Sequence, residues 1–282
     1  MKHRGLICLS IIFLKFSSGN FASVHNPFKE AFENSFDTCN DSHSVQRSGW
    51  RAPNIIREAI ELNCNFFFSA DSFMIATGVA PAYIASRMID EDIQSCFYDG
   101  RRHKNCCQLP WWCHDVAKIG IGVPIVALGS LTIFGETDEI RTAGRVFLVG
   151  MPFVIFGKEL IKKWSADHCL RPKNGDFCRW KKYYGGFPSG HVAEAAYMAV
   201  LAGLRFGAKA AIPLTIFSLF VGATFINCNR HYTSQVFAGA AFGAMYAVAA
   251  NRVIEHEISQ KFKIGIDCDQ EGNPALLIGW RY

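Results

Sequence analysis

Hydrophobic positions gather into blocks along this chain. Ile119 to Phe134, Val146 to Phe156, His191 to Leu204, Ala208 to Ile226 and Val236 to Ala250 are apolar on most sides and mostly rich in glycine and alanine. Blocks of this kind predict buried or membrane-embedded helices, and small residues let such helices approach closely. An earlier run, Phe66 to Ser86, carries Asp71 and Pro81 and is marginal as a spanning helix. Several blocks are nearer ~17 residues than the ~20 a bilayer asks for, so a water-soluble bundle is the alternative. Only the tail alternates. Phe262, Ile264, Ile266 and Cys268 share one face, Gly272-Asn273-Pro274 makes a turn, and Ala275 to Trp280 can return as a strand. The expected fold class is therefore all-α: a membrane helical bundle of five to six helices with a small C-terminal β-hairpin.

Composition narrows the reading. The chain has 282 residues, of which 50% are hydrophobic and 19% charged, with a net charge of +5. It is too apolar for disorder and too charged to lie almost wholly in a membrane. Its cations cluster beside apolar segments, which is not a nucleic-acid footprint. At the N-terminus, Lys2, His3 and Arg4 precede the apolar Leu6 to Phe16, and Ser17, Ser18 and Gly19 offer a cleavage site. This is the pattern of an export signal, with an uncleaved anchor as the alternative. The domains expected are a signal peptide over 1–19, an exported cysteine-containing region over 20–115, a helical bundle over 116–254, and a tail over 255–282.

Eleven cysteines suit an exported, oxidising location. Cys39, Cys64, Cys96, Cys106, Cys107, Cys113, Cys169 and Cys178 are the disulfide candidates, and Cys169 with Cys178 would staple the loop holding Arg171-Pro172. The rival is a zinc site from His103, Cys106, Cys107, Cys113 and His114, although adjacent Cys106-Cys107 fits zinc spacing poorly.

Three patches carry candidate chemistry. Lys163 with Arg171-Pro172 can hold phosphate oxygens, or can be a basic membrane-flanking loop. Pro188-Ser189-Gly190-His191 stands at an expected helix start, where free N–H groups favour an anion; Ser189 as a simple cap is the plain alternative. Asn229 to Gln235 precedes the last apolar block. If a helix begins there, His231 and Gln235 share a face, and the amide oxygen of Gln235 can accept the Nδ1 proton of His231, leaving Nε2 as nucleophile. If five blocks span, all three patches face one side. With a cleaved signal, and with Phe66 to Ser86 not crossing, that side is the exported one, against the positive-inside tendency of the lysines.

Together the patches resemble the type 2 phosphatidic acid phosphatase and haloperoxidase superfamily. Its pattern is Lys-x6-Arg-Pro, then Pro-Ser-Gly-His, then Ser-Arg-x5-His-x3-Asp. The resemblance runs from about Lys158 to Ala250. Trp164 stands at the expected lysine, Thr224-Phe225 at Ser-Arg, and Gln235 at the aspartate, the last as in glucose-6-phosphatase-like members. Arg230 is placed to compensate for the missing arginine.

The resemblance implies a membrane-associated phosphatase of phosphate monoesters or diphosphates, with a lipid phosphate or diphosphate as substrate. His231 would be the nucleophile, His191 the acid and base, and Gln235 the orienter. Lys163, Arg171, Ser189, Gly190 and Arg230 would bind phosphate. It implies no metal and no cofactor, and partners are the substrate and the membrane, without nucleic acid. A catalytically silent lipid-binding relative, a haloperoxidase and a soluble exported acid phosphatase are the alternatives.

Overall fold

The computed structural model describes residues 54–97, 109–110, 112–164, 169–172, 185–268 and 274–280, with side chains as far as Ser259. The expected signal over 1–19 lies outside the described residues, as do Cys39, Cys106, Cys107, Cys178 and His103. The chain divides into two units, 49–258 and 1–48 with 259–282.

Described elements of the first unit are all helical: α1 (Asn54–Phe68), α2 (Ala70–Met88), α3 (Asp90–Ser95), α4 (Trp112–Phe134), α5 (Asp138–Trp164), α6 (Gly190–Phe206), α7 (Ala208–Asn227) and α8 (Thr233–Lys261). In the second unit, β1 (Phe262–Cys268) and β2 (Pro274–Trp280) pair antiparallel, with Ile264 opposite Ile278.

Eight helices rather than five or six follow from local chemistry. The Ser69 side chain accepts the Ser72 N–H, so the run beginning at Phe66 is cut into α1 and α2. Gly207, at φ 74°, separates α6 from α7, a conformation glycine adopts without cost.

Helices α4, α5, α7 and α8 are each long and apolar enough to cross a membrane, and α1 with α2, bent by 45°, pass together as a broken span or a re-entrant pair. The sequence left the Phe66 run marginal as a span, and here it passes only together with the residues that precede it. Asp71 does not bar the pair, because its Oδ2 lies 2.6 Å from a guanidinium nitrogen of Arg252. A paired charge costs far less than a lone one in an apolar setting. The helix α6 has 17 residues and is buried along most of its length, so it serves as the inner helix.

Small residues set the packing around α6. A Cβ at Gly243 would lie 2.1 Å from the Ala193 carbonyl oxygen, and one at Gly239 would lie 2.4 Å from that of Ser189. Glycine there lets α8 touch the α6 backbone. On the α5 side, Phe147 stacks on Tyr197 at 5.4 Å, and the Tyr197 hydroxyl donates to the Phe147 carbonyl at 3.2 Å. Charges inside the bundle are paired: Arg145 donates to the fully buried Glu58 at 2.8 Å, and Arg57 pairs with Glu257.

Candidate active site

Successive helices run in alternating directions, so the C-terminal ends of α5 and α7 meet the N-terminal ends of α4, α6 and α8. Three backbone links close this end. Ser189 N–H donates to the Gln235 carbonyl at 3.0 Å, and the N–H groups of Arg230 and His231 both donate to the Phe225 carbonyl, at 3.0 and 3.2 Å. The turn between α7 and α8 passes through Asn229 at φ 56°, a left-handed conformation asparagine tolerates.

His231 is 4% exposed, and its Nδ1 lies 3.1 Å from Gln235 Oε1. The same amide oxygen accepts the Tyr232 N–H at 3.2 Å, and the Gln235 amide nitrogen donates to the Leu170 carbonyl. That donor contact fixes which end of the amide faces the imidazole. Nδ1 therefore donates and Nε2 carries the lone pair. Burial, then the Arg171 charge, pushes the His231 pKa down to about 3, against the opposing pull of the Gln235 hydrogen bond.

A second clamp holds this turn from α3. Asp90, 1% exposed, accepts the Ser234 N–H at 3.0 Å and the Ser234 hydroxyl. Gln94 donates to Asn229 Oδ1 at 2.6 Å, and the Tyr232 hydroxyl donates to Glu91 at 2.8 Å. Asp90 thus caps the start of α8 from outside the helix. None of these α3 residues stood out in the sequence, because a short polar helix carries no motif.

Across from His231, Ser189 N-caps α6 in an extended conformation with its side chain making no cap bond. Its Oγ is buried and has no hydrogen-bond partner. His191 follows one residue into α6, its ring stacked on Phe225 with centroids 4.6 Å apart. Phe225 also neighbours His231 at 6.0 Å and His114 of α4 at 5.5 Å. One phenyl ring thus gathers three imidazoles.

The cations are arranged differently from the sequence expectation. Lys163 is exposed at the end of α5. Lys158 and Lys162, one turn apart on another face, turn inward instead. Lys158 is 7% exposed and pairs with Glu194 of α6. A Cβ at Gly190 would lie 2.8 Å from the Lys158 ammonium, so glycine makes room for it. Lys162 pairs with Glu159 at 2.9 Å and its charge is felt at His231. Arg171 donates to the Arg230 carbonyl at 2.9 Å and to the Gly185 carbonyl at 3.4 Å. Burial, then the Arg230 charge, lowers the Arg171 pKa to about 10. Gly186 admits Arg171 and Gln235 side by side, since a Cβ there would lie 3.0 Å from each. Arg230 is half-buried beside them, its pKa lowered chiefly by burial.

The structure thus brings His191, His231, Gln235, Ser189, Gly190, Arg171 and Arg230 to one end of the bundle. Sequence reasoning missed Lys158, Lys162, Glu194, Asp90 and Phe225, and placed His114 only in the rival zinc set. The inward lysines were legible in principle from their four-residue spacing, the rest only from contacts. Cys64, Cys96 and Cys113 are free thiols, not the expected disulfide partners; Cys64 is exposed on α1, Cys96 is exposed in the turn after α3, and Cys113 is buried in α4. Cys169 is disulfide-bonded. Among the described residues no group of three His, Cys, Asp or Glu could hold a metal ion.

Residues 145–258 match the family model described as the PAP2 superfamily. Among solved structures, the chain is similar to the "first transmembrane PAP2 type phosphatidylglycerolphosphate phosphatase from Bacillus subtilis", at 16% identity and a TM-score of 0.45, over 71% of this chain and 96% of that one. No curated protein matched the sequence.

Proposed function

We propose that the protein is a membrane-associated phosphatase acting on phosphate monoesters or diphosphates of lipids. The observation that carries the reading is the orientation of His231. A buried imidazole is held by Gln235 through Nδ1, so its free Nε2 is a nucleophile among cations. The PAP2 match over 145–258 supports the same class.

The reaction would run in two steps. His231 Nε2 attacks phosphorus, forming an N–P bond as the bond to the leaving oxygen breaks. His191 gives that oxygen a proton. Water then attacks phosphorus, His191 takes its proton, and the N–P bond breaks to release phosphate. Lys162, Arg171, the Ser189 hydroxyl and the N–H groups at the start of α6 would stabilise the equatorial oxygens, with Arg230 at the rim. Lys158 is neutralised in part by Glu194, so it would fix the α5–α6 junction as much as bind phosphate. The apolar helix faces would hold the lipid chains, and with α1 and α2 as a re-entrant pair the mouth would open on the exported side.

A catalytically silent relative is the second reading, favoured by Phe225 and Gln235, which leave the site without an arginine and a carboxylate. A neutral amide orients the imidazole but does not stabilise its positive charge. The test is phosphate release from lipid monophosphates and diphosphates by the purified protein. Release that depends on His231 supports the phosphatase, and ligand binding without turnover supports the silent relative.

A further inference from the structure

Lys158 is more deeply buried than Lys162, Arg171 or Arg230, and two residues of α6 set its place. Its Nζ pairs with Oε1 of Glu194, and the two residues are 7% and 9% exposed. Glu194 stands one helical turn after Gly190, so both lie on one face of α6. A Cβ at Gly190 would lie 2.8 Å from the same Nζ. The ammonium therefore lies along the first turn of α6, with the phosphate cradle toward one end and a carboxylate toward the other. Glu194 is its one hydrogen-bond partner among the described residues, and an ammonium carries three donors. Next to Gly190, the Ser189 Oγ is buried and has no partner. The N–H groups of the first turn have no partner within the helix. The charge of Lys158 is also felt at His191. Unused donors thus gather at the start of α6, while the cation nearest to them is held by a glutamate.

A cradle that binds a transferring phosphoryl group by charge also binds the phosphate it sets free. This step rests on the proposed function. We infer that Glu194 is a positioning residue that competes with phosphate for Lys158 and so keeps the product from being held. Phosphate at the α6 N-terminus draws the ammonium from the carboxylate, and the carboxylate draws it back as phosphate leaves. Phosphate binding is weakened by the contact it has to break, so turnover is not stalled by its own product. Glu194 touches no reacting atom. Its effect passes through Lys158, and its four-residue spacing from Gly190 places it within the lysine's reach. The competing outcome is a fixed ion pair that only joins α5 to α6, in which Lys158 never meets phosphate.

The experiment uses the full chain in detergent micelles, an alkyl phosphate with a radiolabelled chain, and inorganic phosphate as inhibitor. The released alcohol is counted, so added phosphate does not mask the readout. E194Q keeps the side-chain shape and removes the negative charge. Its inhibition constant for phosphate is expected to fall by roughly tenfold or more, the scale of one charge-assisted hydrogen bond. Its kcat and KM fall together, because substrate and product are both held more tightly. E194D shortens the tether and moves the inhibition constant the same way by less, and it carries the test where E194Q does not fold. K158M/E194Q removes cation and tether together and loses the tightening. Inhibition constants unchanged or raised in E194Q and E194D show a fixed structural pair and overturn the inference. Tightening that persists in K158M/E194Q overturns it too, because the effect then bypasses Lys158. Alcohol release that depends on His231, with parent-like inhibition in E194Q, removes only this inference. Absence of release by the parent overturns the phosphatase reading as well.

Discussion

His231 Nδ1 lies 3.1 Å from Gln235 Oε1, and the other end of that amide is tied to the Leu170 carbonyl. The second contact gives the first its meaning. Because Leu170 precedes Arg171, the same amide couples the orientation of the nucleophile to the loop that carries a phosphate-binding guanidinium.

Gln235→Leu keeps the side-chain volume and removes both contacts. The expected result is a fall in kcat of roughly 100-fold with a smaller change in KM, since orientation of the nucleophile is lost more than binding. Gln235→Glu places a carboxylate against Nδ1, which favours the imidazolium and moves the acid limb of the rate profile to higher pH. Steady-state kinetics against pH on the two variants checks both.

The pH dependence of the parent follows from the His231 pKa of about 3, far below its ordinary 6.5. The unfolded chain binds a proton near pH 6.5 that the folded site refuses. Below that value protons therefore favour unfolding, and stability drops as pH falls from 6.5 toward 3. His231→Asn removes the titration and flattens that part of the curve. Thermal unfolding in detergent across this range measures it, and equal slopes in parent and variant would count against a buried neutral imidazole.

Inward and outward lysines on α5 should behave differently. Lys162→Ala is expected to cut kcat/KM by roughly 100-fold, the scale of losing one charged donor to a developing oxyanion. Lys163→Ala, at an exposed position, is expected to change it by less than about threefold. Reversal of that order would restore the expectation drawn from the sequence.

The close approach of α8 to α6 tolerates no side chain at Gly239, where a Cβ would lie 2.4 Å from the Ser189 carbonyl oxygen. Gly239→Val must push α8 away from the α6 N-terminus. Phosphate release is expected to be lost, with a drop in melting temperature. Asp90→Ala leaves the Ser234 N–H and hydroxyl without their acceptor, a loss of about 1–3 kcal/mol, and should raise the unfolding tendency even though Asp90 does not face the phosphate cradle.

Much of this site could be read from the chain. Pro188 to His191 and Asn229 to Gln235 carry their own local rules: a cap at a helix start and a four-residue spacing on one helical face. The His231–Gln235 contact follows directly from that spacing. The lysine expectation rested on distance along the sequence to Arg171, whereas helical phase turns Lys158 and Lys162 inward and Lys163 outward. The Phe66 run was marginal because of Asp71 and Pro81, and the partner that neutralises Asp71, Arg252, lies far along the chain. Asp90, Phe225 and His114 act only through contacts between distant segments, and no local pattern announces such contacts. The free thiols of Cys64, Cys96 and Cys113 show the same limit, since composition suggests disulfides but only geometry pairs them.

The convergence of two imidazoles on one phosphate is the core of the account. Phosphate release from a lipid phosphate by purified parent, His231→Ala and His191→Ala proteins tests it most directly. The parent is expected to turn over, with each variant slower by roughly a thousandfold or more. Variants that release phosphate as fast as the parent would contradict it.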